Sequence, residues 1–208
     1  MTPDRALGRG LAMLGQPLPE GADRKLIAYL ELLAKWNRTY NLTAIRDPIK
    51  MVSHHLLDSL AVLPHLPAGP LADVGSGGGL PGIPLAIAEP ARRVTLNDTS
   101  HKKAAFLQQA VIELKLSNAD VHAGRAQAWK PVQPFACVIA RGFAELAQFI
   151  DACRHLLCAD GVLAAMKGAY PREELSRLPA GADCHDIRRL QVPLLAAQRH
   201  LVFCRCAA

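Results

Sequence analysis

The stretch Leu71-Ala72-Asp73-Val74-Gly75-Ser76-Gly77-Gly78-Gly79-Leu80-Pro81-Gly82 decides how this chain is read. A short apolar strand ends near a carboxylate, enters a glycine-rich turn and opens a helix. Such a turn lets a ligand approach the backbone closely, because no Cβ atoms obstruct it. The next apolar run, Val94-Thr95-Leu96-Asn97-Asp98, ends in a second carboxylate. In an open α/β sheet these strand ends face one crevice, where ligands bind. Asp98 is then placed to accept hydrogen bonds from two ribose hydroxyls.

Outward from that stretch, runs at 71–74, 93–97, 119–122, 135–140 and 161–166 read as strands. Helical patterns near 84–89, 101–115 and 143–157 separate them. The alternation predicts a mostly parallel, doubly wound sheet. Runs at 186–193 and 200–206 complete seven strands, and the loop between them is too short for a helical crossover. That last pair is therefore expected to be antiparallel. Residues 66–208 form the predicted α/β domain, and residues 1–65 a predicted N-terminal helical cap. In the cap, Asp23 is read as the start of a helix carrying Leu26, Ile27, Leu30, Leu33 and Trp36. The polar stretch Asn37 to Thr43 interrupts it, with Asn37 and Asn41 tying the turn. Asp47-Pro48 starts a second helix, a cap followed by proline at the first helical position.

Composition narrows the classes. Of 208 residues, 50% are hydrophobic and 20% charged, which excludes a disordered tail, a collagen-like chain and a disulfide-stapled miniprotein. No apolar run approaches the roughly 18 residues of a membrane span; Leu80 to Ala88 is broken by Pro81 and Pro84. The first residues lack a signal-peptide layout, so a soluble cytoplasmic protein is expected. The net charge of +6 permits a polyanionic partner without demanding one. Six bases against two acids between Arg24 and Lys50 concentrate it in the cap. Aromatic residues are too sparse, at 5%, for a base-stacking platform. The six cysteines have no C-x-x-C spacing, so no zinc site is expected, and they read as reduced thiols.

Two cofactors suit the glycine turn. Gly77-x-Gly79-x-x-Gly82 with Asp98 satisfies a dinucleotide fingerprint. That use needs a helix N-terminus open to a pyrophosphate, and Pro81 and Pro84 remove two of its amides. The register Asp73-x-Gly75-x-Gly77-x-Gly79 is the pattern of class I S-adenosylmethionine methyltransferases, and the antiparallel last pair suits that fold better. The second register is favoured, with an NAD-dependent oxidoreductase as the alternative.

Several segments together make a more specific likeness. Lys35-Trp36-Asn37-Arg38-Thr39-Tyr40-Asn41-Leu42-Thr43, His55-Leu56-Leu57-Asp58-Ser59 and Asp73 through Pro84 resemble the RsmG (GidB) family. So do Leu116-Ser117-Asn118, Arg141-Gly142-Phe143-Ala144, Lys167-Gly168, Leu190-Gln191-Val192-Pro193 and Arg199-His200-Leu201-Val202. The resemblance implies a bacterial enzyme that methylates N7 of a guanine in small-subunit (16S) ribosomal RNA, near the decoding region; the fold alone leaves a methyltransferase of another acceptor, a small molecule or a protein, as the alternative. It implies cofactor contacts at Gly75, Leu80, Ala126, Gln127 and Arg141. Gln127 departs from the acidic residue common there; an amide oxygen can still meet an adenine amino group.

The chemistry agrees. Guanine N7 carries a lone pair and no proton, so methyl transfer needs positioning and electrostatic support rather than a general base. No acid–base residue is therefore assigned. Arg141, ending the fourth strand, is expected to hold a cofactor carboxylate or an RNA phosphate. Lys167, ending the fifth, is a second positioning candidate. Arg38, Arg46, His55 and Lys167 are candidates for contact with RNA. For His54, His55 and Asp58, a histidine–aspartate bond fixing the helix is favoured over a metal or acid–base role.

Overall fold

The computed structural model describes residues 1–143 and 145–206, and for His185 the backbone alone. Ala144 of the Arg141-Gly142-Phe143-Ala144 segment, and residues 207–208, lie outside the described residues.

Among the described residues, seven strands form one sheet in the order β3-β2-β1-β4-β5-β7-β6. They are β1 (Leu71–Val74), β2 (Val94–Asp98), β3 (Ala119–Ala123), β4 (Phe135–Arg141), β5 (Leu157–Lys167), β6 (Ala182–Arg189) and β7 (His200–Cys206). β1 to β5 pair in parallel, and β7 runs antiparallel to both β5 and β6. The expected antiparallel ending is present. Its sixth strand starts at Ala182, earlier than the apolar run suggested, because charged residues occupy its exposed side.

Central strands are buried on both faces, as parallel strands between helices must be. Along β4 the side chains alternate with period two: Cys137 and Ile139 join one apolar cluster, Val138 and Ala140 the other. The first cluster also takes in Leu7, Leu26, Leu33, Leu56 and Leu60 from the N-terminal helices. Those helices thus share a core with the sheet. They are α1 (Pro3–Leu14), α2 (Ala22–Tyr40), α3 (Pro48–Met51) and, beyond a π turn at Val52–Leu57, α4 (Asp58–Leu60). α5 (Gly82–Ala88), α6 (His101–Glu113), α7 (Leu146–Cys153) and α8 (Arg172–Leu175) follow.

Several local expectations need correction. Gly21, in the left-handed region, caps α2, and Asp23 lies in its first turn. α2 continues through the polar stretch to Tyr40, because Asn37 turns inward and exchanges two 2.9 Å bonds with the Thr43 backbone. Asn41 ends the helix in the left-handed region, so both asparagines do tie this turn. Asp47 caps α3 as read, accepting the Lys50 amide at 2.8 Å. The cysteines are not all free thiols: Cys184 and Cys204 form a disulfide. The antiparallel register that sets Ala182 opposite Cys206 and Asp183 opposite Arg205 brings Cys184 opposite Cys204 on neighbouring strands, a pairing that sequence spacing does not reveal. Cys137 and Cys153 are buried thiols that burial pushes up to about 12.

Candidate active site

The chain turns immediately after β1. Gly75 and Gly77 have φ of 72° and 57°, conformations that favour glycine. A Cβ at Gly75 would meet nothing within 4 Å, and at Gly77 only the Gly75 carbonyl, 3.9 Å away. This edge of the turn is open. At Gly79 and Gly82 a Cβ would run into Ile83, and into Leu96 and Asp73. The first two glycines leave room; the last two permit close packing.

Two carboxylates set the turn. Asp73 Oδ2 accepts the Gly82 amide at 2.8 Å and so fixes the start of α5. Burial pushes the Asp73 carboxyl up to about 6, although the Gly82 amide and Ser76 pull the other way. Its Oδ1 is buried with no hydrogen-bond partner among the described residues. Asp98 accepts the Gly77 amide on Oδ2 and the Ser100 amide on Oδ1, both at 2.9 Å. Each of its oxygens keeps room for a second donor. Leu80 is buried behind the turn, its amide donating to Ser76 O at 3.0 Å.

The adjoining strand is fixed by Asn97, whose amide donates to the carbonyls of His122 at 3.0 Å and Gly124 at 2.9 Å. The Gly124 amide donates to Asp98 O at 3.0 Å. These bonds place the turn Ala126–Ala128 next to the end of β2, with Ala126 buried and Gln127 exposed. Gly75, Gly77, Asp98 and the Ala126–Gln127 backbone could thus hold an adenosine-bearing cofactor.

Tyr29 was not singled out from sequence, being one more apolar member of the α2 stripe. It is fully buried, and its hydroxyl donates to the Gly78 carbonyl in the glycine turn. Burial raises its pKa, so it remains a donor. Leu33 on the same helix packs against Gly78. The N-terminal region therefore supports the turn directly.

A second assembly lies at the ends of β4 and β7. Arg141 Nη1 donates to the His54 carbonyl at 2.9 Å and lies 3.5 Å from Asp58 Oδ2. Arg199 Nε donates to Asp58 Oδ1 at 2.9 Å. The expected histidine–aspartate bond does not form. Spacings of three and four face each other in an α-helix, but this segment is a π turn, in which the Asp58 amide reaches back to Ser53 O. His55 Nε2 instead bonds Thr43 Oγ1 at 2.9 Å. Burial, then Arg141, depress the His55 pKa to about 4, so the buried ring is neutral at pH 7.

The remaining candidates separate. Lys167 pairs with Glu174 at 2.7 Å, and the same Glu174 oxygen accepts the Leu146 amide at the start of α7. Lys167 thus closes a junction between β5, α7 and α8 instead of standing as a solvated lysine. Arg38 and Arg46 are exposed, as are Lys35 and Lys50. Among the described residues no group of three or more metal-ligating side chains assembles, and no helix is long and apolar enough to cross a membrane.

Known structures reproduce the fold. A glycopeptide N-methyltransferase, MtfA, complexed with S-adenosylmethionine aligns over 74% of this chain and 88% of its own, with TM-score 0.61 and 12% identity. DhpI, complexed with S-adenosylhomocysteine, covers 89% and 97%, with TM-score 0.57 and 18% identity. At such identities the likeness establishes a class I methyltransferase fold. Sequence relatives are much nearer. The ribosomal RNA small subunit methyltransferase G of Methylobacillus flagellatus is 53% identical over 200 residues, 95% of each chain. That of Chromobacterium violaceum is 51% identical over 197 residues, 94% of each. The family model "GidB: rRNA small subunit methyltransferase G" matches residues 22–202. With the glycine turn, the strand order and the relatives in agreement, the chain belongs to the GidB family.

Proposed function

We propose that this chain transfers the methyl group of S-adenosylmethionine to N7 of a guanine in small-subunit (16S) ribosomal RNA. The observation that carries this reading is membership in the GidB family across residues 22–202. The open edge at Gly75 and Gly77 beside Asp98 supports it.

When bound, the cofactor supplies an electrophilic methyl group. Gly75 and Gly77 let it lie against the backbone, with Leu80 and Asp73 holding that turn from behind. Asp98 would accept hydrogen bonds from its ribose hydroxyls, and Ala126 and Gln127 would flank its adenine. Arg141 keeps guanidinium donors beyond those used by His54 and Asp58 for an oxyanion of cofactor or RNA. N7 presents a bare lone pair, so no residue has to remove a proton. That agrees with a site whose buried carboxylates are already used to hold backbone amides and guanidinium groups. An open cavity of about 580 Å³, bordered by Phe143, Lys167 and Tyr170 at the ends of β4 and β5, is the side from which the base enters. Residues 1–65 act as an RNA-facing cap, with exposed Arg38 and Arg46 toward phosphates.

The test is methyl transfer from labelled S-adenosylmethionine to small subunits lacking the modification, with nucleoside mass spectrometry of the product. Label in 7-methylguanosine of the small-subunit RNA is the expected result. No transfer to subunits or naked RNA, with S-adenosylhomocysteine still bound, would reject the acceptor and retain the cofactor.

A further inference from the structure

Asp58 is 2% exposed, yet it carries a carboxylate, and both of its oxygens face guanidinium groups from distant parts of the chain. Arg141 lies 83 residues away in sequence and Arg199 lies 141. Burying a carboxylate costs several kcal/mol unless it is well paired, so the arrangement calls for a reason beyond packing. One charge against two leaves a local excess of one positive charge. Neither arginine is fully consumed: their side chains remain 25% and 22% exposed. Arg199 donates from Nε to Asp58 and from Nη1 to the Gln198 carbonyl, both at 2.9 Å, which leaves Nη2 as its outward donor.

The location is specific. Arg141 ends β4, and its charge is felt by Asp73 and Tyr29 at the glycine turn. Arg199 immediately precedes His200, which pairs with Lys167 at the end of β5. Both arginines therefore stand at the strand ends that border the crevice. The π turn supplies the remaining anchor, the His54 carbonyl that receives Arg141.

We propose that Asp58 is a positioning residue that holds Arg141 and Arg199 side by side, so that their outward donors form one oxyanion site for a phosphate of the RNA strand carrying the target guanine. The cofactor's carboxylate shares that chemistry, and the experiment separates the two sources. The inference rests on the RNA-methylating reading above. Paired guanidinium groups suit a phosphate because their forked donors match its oxygens. A rigid carboxylate anchor spares the ordering of two long side chains when RNA arrives.

The test uses the full chain, small subunits lacking the modification, and S-adenosylhomocysteine as a separate probe. With Arg199→Gln, KM for subunits should rise about tenfold, the loss of one charge-assisted hydrogen bond. The slope of log affinity against log salt should become shallower by about 0.7, one phosphate contact fewer on a single strand. S-adenosylhomocysteine affinity should stay within about twofold; thermal stability should fall, because buried Asp58 loses one of its two guanidinium partners, so binding is compared well below the unfolding temperature of each variant. Arg199→Lys should restore the salt slope. Asp58→Asn combined with Arg199→Gln should raise KM less than the product of the single effects, because the first already releases the second. Wild-type KM and salt slope in Arg199→Gln would overturn the site, as would multiplicative effects in the double variant. A loss confined to S-adenosylhomocysteine affinity would assign the oxyanion to the cofactor and overturn the RNA phosphate. Should Asp58→Asn fail to fold, the Arg199 variants decide alone. Failure of the wild-type enzyme to methylate subunits would strike the underlying reading, a result distinct from any of these.

Discussion

The glycine turn and the Asp58 junction are built in opposite ways. The turn is contiguous: residues 73–82 supply its glycines, its first carboxylate and its helix start, and one further carboxylate, Asp98, completes it. The junction gathers a π turn at Val52–Leu57, a strand end at Arg141 and a loop residue at Arg199. One is a backbone device that requires particular φ angles and no side-chain bulk. The other is a side-chain device whose members meet only after the sheet has formed. The first is therefore sensitive to added atoms, the second to changes in charge.

The largest effect that would sharpen this contrast is expected at Gly82. In Gly82→Ala the new methyl would meet Leu96 and would lie 2.7 Å from Asp73 Oδ2, displacing the bond that starts α5. A loss of about 1–3 kcal/mol is expected from overpacking, read by urea denaturation, with cofactor binding lost as well. Gly75→Ala places its methyl in open space, where only its φ of 72° is strained, so binding should fall more than stability. Equal losses of stability in the two variants would break the division between access and packing glycines. Next comes Asp98→Ala, which removes the acceptor of the Gly77 and Ser100 amides, together with the acceptors proposed for the cofactor's ribose. S-adenosylhomocysteine affinity measured by calorimetry should fall more than about tenfold, as for a lost charge-assisted bond; unaltered affinity would remove Asp98 from the cofactor site.

Acid titration should separate the regions by sign. At the turn, Asp73 has its carboxyl raised by burial from 3.8 to about 6. The folded chain therefore holds an extra proton between those values, and the stability this group contributes falls as pH rises from about 4 to 6. Near the junction, His55 is lowered from 6.5 to about 4, so its contribution is lost as pH falls through that window. In urea midpoints measured across this range, Asp73→Asn should steepen the acid-side loss of stability and His55→Gln should lessen it. Shifts of the same sign in both variants would contradict these environments. The smallest effect is expected for Gln127→Glu, an exposed residue of the turn after β3. Cofactor affinity should change by less than about tenfold, since amide and carboxylate oxygens can both accept from an adenine amino group; a greater fall would show that the amide has a role of its own.

The sheet was legible because its strands are short apolar runs bounded by turn residues, and β1 and β7 fall where those runs fall. The open glycine turn beside Asp98 was legible because the glycine spacing and the two carboxylates belong to adjacent strand ends. Less could be read in the helices. The same residues that mark a break in α2, Asn37 to Tyr40, remain helical because Asn37 satisfies the next loop's backbone from inside the helix. Lys167 borders the cavity at the ends of β4 and β5, but its pairing with Glu174, on a short helix beyond a turn, had no spacing signal to announce it. The Cys184–Cys204 bridge depends on the antiparallel register of β6 on β7, which only strand pairing defines.

The sequence by itself determined the class I architecture, the glycine turn and the family, because each is written in local order: period-two burial, glycine positions, and motifs in register along the chain. Only the tertiary structure decided which glycines leave space and which fill it, that Tyr29 supports the turn from a different helix, and that Asp58 gathers two arginines in place of a histidine. Those outcomes depend on distances between residues far apart in the chain, and such distances exist only once the shared core has brought the helices and strand ends together.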